Sequence, residues 1–154
     1  MATVTERFDS SLKRSAWIID QVMALEKSGF PKAQRWSRAA WGEELTNQAR
    51  LVLARHDLRE ALIGVASFSA AGDVVDLLRV IVHPDERGRG IGSSLIRTGM
   101  DWAKAIGAHR MLLEVRPDNK RALTVYSKLG FEQLSRRRDY YGPGVDAMVM
   151  AVKL

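Results

Sequence analysis

Residues 87–92, Arg-Gly-Arg-Gly-Ile-Gly, stand between a β-branched apolar run and a helical pattern. That arrangement suits an anion. The first N–H groups of a helix have no intrahelical partner and point outward, and the helix dipole adds positive potential there. Glycines let a phosphate approach the backbone, and Arg87 and Arg89 add full charge. Further on, Glu114 interrupts the apolar residues Met111, Leu112, Leu113 and Val115. An isolated carboxylate is costly to bury, and partial burial would raise its pKa toward the range useful to a general base. A second reading pairs it with Arg116, two residues on and on the same strand face. Tyr126 lies on the stripe Ala122, Val125, Tyr126 and Leu129, either as packing or as a proton-donating phenol. Asn119 is a good helix cap. Tyr140 and Tyr141 precede a Gly-Pro-Gly loop, a setting for peptide contact or for plain surface tyrosines.

Composition narrows the chemistry. The chain has 154 residues, a size typical of one domain, and it is read as a single domain over 1–154. It has no cysteine, so a Cys nucleophile, a thioester on the enzyme, a disulfide and a Cys-based zinc site are all excluded. His56, His83 and His109 show no metal-ligand spacing, and no metal is expected. The formal net charge of +6 suits an anionic partner or a solvated basic surface. Direct nucleic-acid binding is not expected. No apolar run approaches the roughly 18 residues of a membrane span. The residues Ala16, Trp17, Ile18 and Ile19 are flanked at once by Arg14 and Asp20, so they make no signal peptide. A cytoplasmic protein with no membrane partner is the expectation.

The elements that must position these residues follow from period and punctuation. Residues 3–8 alternate as a short edge strand. Ser10 and Ser11 can cap a helix to about Lys27, with Leu12, Ala16, Ile19, Met23 and Leu25 as its apolar residues. Ser37 caps a second helix over 38–47. Strands are expected over 50–55, 61–69 and 74–82, with turns at 57–60 and 70–73. A helix over 91–106 ends at Gly107, and a strand over 110–116 reads as buried from its apolar run. Asn119 opens a helix to Leu129, and strands over 131–140 and 147–152 close the chain. The order is β-α-α-β-β-β-α-β-α-β-β, a mixed α/β sheet.

Among phosphate-binding turns, a Walker loop needs Lys after its last glycine, and Gly92 is followed by Ser93. A dinucleotide fingerprint needs glycine or alanine at 93 and a strand near the N-terminus. Arg-x-x-Gly-x-Gly fits as Arg87, Gly90 and Gly92, and it resembles the pyrophosphate signature of the GNAT acetyltransferases. The resemblance extends over about residues 74–131. It includes the strand Val80-Ile81-Val82 before His83-Pro84, the acidic residue in Leu113-Glu114-Val115, Asn119, Tyr126, and the ending Lys128-Leu129-Gly130-Phe131. More widely, Leu113-Glu114-Val115-Arg116-x-x-Asn119, the tail 136–141 with its two tyrosines, and Arg35-Trp36-Ser37 look like the RimI type, the ribosomal-protein-alanine N-acetyltransferases. Arg35, Arg79 and Ser93 depart from that type, which usually has Pro, a smaller polar residue and a basic residue there.

The resemblance implies a GNAT fold: a mixed, mostly antiparallel sheet, splayed at the cofactor site and flanked by helices. It implies acetyl-CoA as co-substrate, held by the backbone of Val80, Ile81 and Val82, by Arg87, Gly88, Arg89, Gly90, Ile91, Gly92 and Ser93, and by Asn119 and Tyr126. It implies Glu114 as base and Tyr126 as the acid that protonates the departing thiolate. Trp36, Tyr140 and Tyr141 are expected at the acceptor. The acceptor is expected to be a protein N-terminus, an Ala-type α-amino group of a ribosomal protein, attacked directly in a ternary complex. A free α-amino group titrates near 7.7–8.0 and lysine near 10.4 (approximate reference values), so the former asks less of a base. A small-molecule amine or lysine acceptor, and an idle acyl-CoA-binding module, are the alternatives.

Overall fold

The computed structural model of the chain describes residues 4–7 and 15–154. The strands are β1 (Val4–Arg7), β2 (Arg50–His56), β3 (Leu62–Ala71), β4 (Val74–Val82), β5 (Arg110–Val115), β6 (Glu132–Gly142) and β7 (Val145–Lys153). The helices are α1 (Ser15–Gly29), α2 (Arg38–Thr46), α3 (Ile91–Ala105) and α4 (Lys120–Lys128). The order matches the sequence expectation, with single 3-10 turns added at Lys32–Gln34 and Pro84–Glu86. The proposed caps Ser10 and Ser11, the apolar Leu12, and the ends of the first strand at Thr3 and Phe8 lie outside the described residues. Ser37 caps α2 by accepting from Ala40 N at 3.0 Å. Asn119 caps α4 by accepting from Ala122 N at 3.2 Å.

One seven-stranded sheet runs β1-β2-β3-β4-β5-β7-β6. Every pairing is antiparallel except β4 with β5. Apolar layers cover both faces. On one, α3 and α4 pack Leu95, Ile96 and Tyr126 against Phe68, Val75, Met111 and Leu113. On the other, α1 and α2 pack Ile18, Val22, Leu25 and Trp41 against Val52, Val65 and Ile81. Burying each such side chain contributes roughly 1.5–3 kcal/mol. The buried stripe of α1 is therefore Ile18, Val22 and Leu25, not the Ala16, Ile19 and Met23 of the sequence reading. Ala16 is exposed, and Ile19 and Met23 sit at the edge of the stripe. Both registers are helical, and only the direction from which the sheet approaches selects between them.

Two irregularities shape the sheet, one in β4 and one in the edge strand β6. In β4, Leu77 pairs with Phe68 and Arg79 with Ser67, which leaves Leu78 as an extra residue. A bulge of this kind sharpens local twist. The parallel β4–β5 ladder stops there, at Leu77 with Leu113. Beyond it β4 pairs only with β3, while Glu114 and Val115 pair only with β7. The sheet is splayed from that point. In β6, Arg137 pairs with Ala147 and Gly142 with Val145, so residues 138–141 bulge out opposite Asp146 alone. Asp139 takes a left-handed φ of 53° in that bulge. It is held by donating its N–H to Asp146 Oδ1 at 3.0 Å and by accepting from Gly144 N at 2.6 Å.

Candidate active site

The glycine turn has the geometry that its sequence implies. Gly88 and Gly90 have φ of 80° and 77°, a region costly for any residue with a Cβ. Gly90 is the N-cap of α3, and the first intrahelical bond runs from Ser94 N to Gly90 O at 2.9 Å. The N–H groups of Ile91, Gly92 and Ser93 precede that ladder and are free for an anion. The two arginines are less free than expected. Arg87 donates its Nε to Val82 O at 3.2 Å, and Arg89 is paired with Glu86 at 3.0 Å. Burial and the neighbouring Arg121 cation both lower the Arg87 pKa, so an anion between them would relieve repulsion.

The edge of β4 leads from this turn into the splay. His83 donates its N–H to Ile63 O at 2.8 Å, so His83 faces β3. Backbone groups alternate along an antiparallel strand, so Arg79 and Ile81 also face β3, while Val80 and Val82 face the gap. Of the three residues expected to pair with an extended amide-bearing arm, Val80 and Val82 present their backbone to it. Ile81 turns away, with its side chain buried on the α1–α2 side. An open strand edge, with its Val82 carbonyl held by Arg87, uncommitted helix N–H groups and left-handed glycines fit a thin chain ending in a pyrophosphate.

Glu114 is the first residue of β5 beyond the last β4 pair. Its strand is not buried on both faces as its apolar run suggested. Met111, Leu113 and Val115 are buried under α3 and α4, while the Glu114 side chain on the other face is 31% exposed. The reason is that α1 and α2 pack over β2, β3 and β4 on that face and leave β5 uncovered. The pairing with Arg116 is also replaced. Arg116 bonds Asp118 through two contacts of 3.1 Å, and Glu114 Oε1 accepts from Arg137 Nη1 at 2.7 Å. Strand pairing places β5 and β6 on either side of β7, a relation no local pattern reveals.

Tyr126 is buried, with its ring 5.9 Å from that of Phe131. Its pKa is pushed up to about 12, first by burial and then by the nearby Tyr141, against a lowering by the Arg79 cation. It is therefore a fully protonated donor at neutral pH. The Tyr140 pKa is raised, first by hydrogen bonding to Glu114, then by burial and by the charge of the same carboxylate. The Tyr141 pKa is raised by burial and by Glu114. The β6 bulge thus brings Tyr140 and Tyr141 to Glu114, and Tyr141 to Tyr126. The two bulge rings touch edge to face at 5.0 Å. Arg137 lies 4.3 Å over the Tyr140 ring.

Trp36 stands on the α1–α2 side, its ring tilted against that of Trp41 at 5.1 Å and near Arg79. Four residues here escaped the sequence reading as participants: Glu26, Asp76, Arg79 and Arg137. Asp76 shares the face of Glu114, and its pKa is raised by burial and by that carboxylate. Arg79 stood out only as a departure from the family pattern, and the bulge beside it at Leu78 cannot be read without the partner strand. Among the described residues no cluster of three or more His, Cys, Asp or Glu side chains could hold a metal ion. Among them, too, no helix is long and apolar enough to cross a membrane.

The sequence profile described as "Acetyltransferase (GNAT) family" matches residues 16–131. The N-alpha-acetyltransferase RimI of Mycobacterium tuberculosis is 35% identical over 132 residues, covering 82% of this chain and 80% of that protein. An uncharacterised protein of Mycobacterium leprae is 31% identical over 137 residues, and the chain spans only 37% of its length. The crystal structure of the ribosomal-protein-S18-alanine N-acetyltransferase from Escherichia coli superposes with a TM-score of 0.84. It covers 99% of this chain and 94% of that one at 22% identity, a likeness of fold.

Proposed function

The chain belongs to the GNAT acetyltransferase family, and from that premise we propose that it transfers the acetyl group of acetyl-CoA to the α-amino group of a protein N-terminus, with an Ala-starting ribosomal protein as the leading acceptor. The observation that carries this reading is the end of the β4–β5 ladder at Leu77 and Leu113, which opens a gap between the free N–H groups of α3 and the Glu114 carboxylate.

The N–H groups of Ile91, Gly92 and Ser93, with Gly88, Gly90 and Arg89, hold the pyrophosphate. The edge of Val80 and Val82 guides the pantetheine arm toward Glu114, with Asn119 flanking it. The neutral amine attacks the thioester carbonyl carbon, the C–N bond forms, and the C–S bond breaks. Glu114 takes the amine proton, directly or through one water. Tyr126 gives its proton to the departing thiolate. Direct attack in a ternary complex is the economical route, because the chain has no cysteine to carry an acyl group.

The leading acceptor rests on similarity to proteins named as bS18-alanine N-acetyltransferases, such as that of Salmonella typhimurium, 30% identical over 146 residues. Trp36, Tyr140 and Tyr141 supply an aromatic acceptor wall, and a cytoplasmic location follows from such a substrate. Purified protein, acetyl-CoA and a panel of Ala-starting peptides, Lys peptides and polyamines test the reading. Turnover of the Ala-starting peptides, lost in Glu114→Gln, supports it. Activity confined to polyamines or lysine would replace the acceptor. Binding of acetyl-CoA with no turnover of any amine would leave an acyl-CoA-binding module.

A further inference from the structure

Arg79 is the second residue of β4 past Leu77, where the sheet parts, and its side chain leaves on the α1–α2 face. Its guanidinium is gripped by a fully buried carboxylate. Arg79 Nε donates to Glu26 Oε1 at 2.8 Å, and Nη2 donates to Glu26 Oε2 at 2.7 Å. Nη2 also donates to Gln34 O at 2.8 Å. Glu26 further accepts from Trp41 Nε1 at 3.0 Å and from Trp36 N at 3.2 Å. One carboxylate thus ties α1, the loop that follows it, α2 and β4 together. The same guanidinium lies 3.6 Å over the Phe30 ring and 5.1 Å from Trp36.

This pair is more than a staple for the helices. A buried ion pair is a poor source of net stability, and an apolar substitute of equal volume is often as good. What the pair supplies is position. Residues 31–37 carry no strand ladder, and Gln34 O and Trp36 N in that stretch are both anchored to this pair. The guanidinium charge also acts on Tyr126 and Tyr141, lowering both phenols' pKa values against the other effects. Nη1 makes no hydrogen bond among the described residues. No buried side-chain nitrogen there lacks a partner, so Nη1 reaches solvent. The Nη1 N–H groups are therefore the uncommitted donors of this cluster.

We propose that Arg79, clamped by Glu26 between Phe30 and Trp36, is an acceptor-positioning residue that fixes the wall opposite Tyr140 and Tyr141 and selects the acceptor's first residue. The proposal rests on the acetyl-transfer reading and adds to it a determinant of acceptor choice that cofactor binding does not share. The guanidinium with the Phe30 and Trp36 rings fills this wall, so it should favour small first residues.

The test is the double variant Glu26→Gln/Arg79→Met, which removes both charges and leaves no orphan ion. Gln keeps a carbonyl for Trp41 and Trp36, and Met keeps the stem between the rings. The expected result is unchanged acetyl-CoA affinity, an acceptor-peptide KM raised on the order of tenfold, and wider tolerance of large first residues. Arg79→Lys, which keeps the charge and loses the fork, should fall between the two and decides by the same split if the double variant does not fold. An acceptor KM within about twofold of the parent in a folded variant overturns the inference and leaves acetyl transfer intact. So does a parallel loss of acetyl-CoA affinity. A parent protein that binds acetyl-CoA and acetylates no amine overturns both.

Discussion

Arg137 Nη1 stands 2.7 Å from Glu114 Oε1, a contact made across β7 by two residues 23 apart in sequence. Both side chains are substantially exposed, at 53% and 31%, so the pair contributes little to stability. Its consequence lies in orientation. It fixes one carboxylate oxygen, and Arg137 in turn lies over the Tyr140 ring. Arg137→Met should therefore leave the melting temperature within a few degrees while lowering kcat/KM several-fold, roughly the effect of misplacing a reacting group by a fraction of an ångström. Thermal unfolding and steady-state kinetics on one preparation check it. A large drop in melting temperature would show the contact to be structural.

Tyr126 should behave as an acid that never runs out of protons in the working range. Its pKa of about 12 keeps the phenol protonated well above neutrality, so kcat should show no basic limb from this group between about pH 7 and 10. Tyr126→Phe should lower kcat by roughly 10²-fold, the low end for general acid catalysis, with acetyl-CoA affinity retained. The same shift bears on stability. The folded pKa lies above the usual phenol value, so this contribution is fully present below about pH 10 and is lost as pH rises toward about 12. Denaturant titrations of the parent and Tyr126→Phe over that window should converge as pH rises.

Gly90→Ala separates backbone strain from ligand contact. At φ 77° the added Cβ meets nothing within 4 Å in the protein itself. The folding cost should be about 1 kcal/mol, from the left-handed conformation alone. The added methyl also stands where the pyrophosphate must approach, so acetyl-CoA affinity should fall by more than that cost explains. Calorimetric titration with CoA beside a denaturant melt distinguishes the two effects.

Two further glycines should respond with opposite signs. A Cβ at Gly99 runs into the Phe68 ring, which is fully buried between α3 and β3. Gly99→Ala should destabilise the fold by roughly 1–3 kcal/mol, the range for overpacked cores. Gly42 sits inside α2 with open space around its would-be Cβ. Gly42→Ala should stabilise by roughly 0.5–1 kcal/mol through helix propensity alone. Chemical denaturation of both variants checks the pair.

Local pattern was enough for the parts of this protein whose physics is local. The glycine turn with its following helix, the caps Ser37 and Asn119, and the order of strands and helices were all legible. Each depends on a hydrogen bond or a dihedral within a few residues. Glu114 stood out for the same reason, as a carboxylate in an apolar strand. Its surroundings did not. The burial expected of it fails because α1 and α2 cover only β2 to β4 on that face, and its partner is Arg137 rather than Arg116 because β6 lies just across β7. The buried face of α1 was ambiguous by one residue until the sheet chose it. Arg79 read only as a departure from a pattern, and the Glu26 side chain read as nothing at all. Their significance arises where α1, α2 and β4 meet, and a buried charge is intelligible only with its partner in view. The sequence by itself thus determined the anion-binding handle, the order of the elements and the family, since these are written in spacing. The tertiary structure alone decided which charges face one another across the splay, because that depends on a bulge and on strand order, which bring distant residues together.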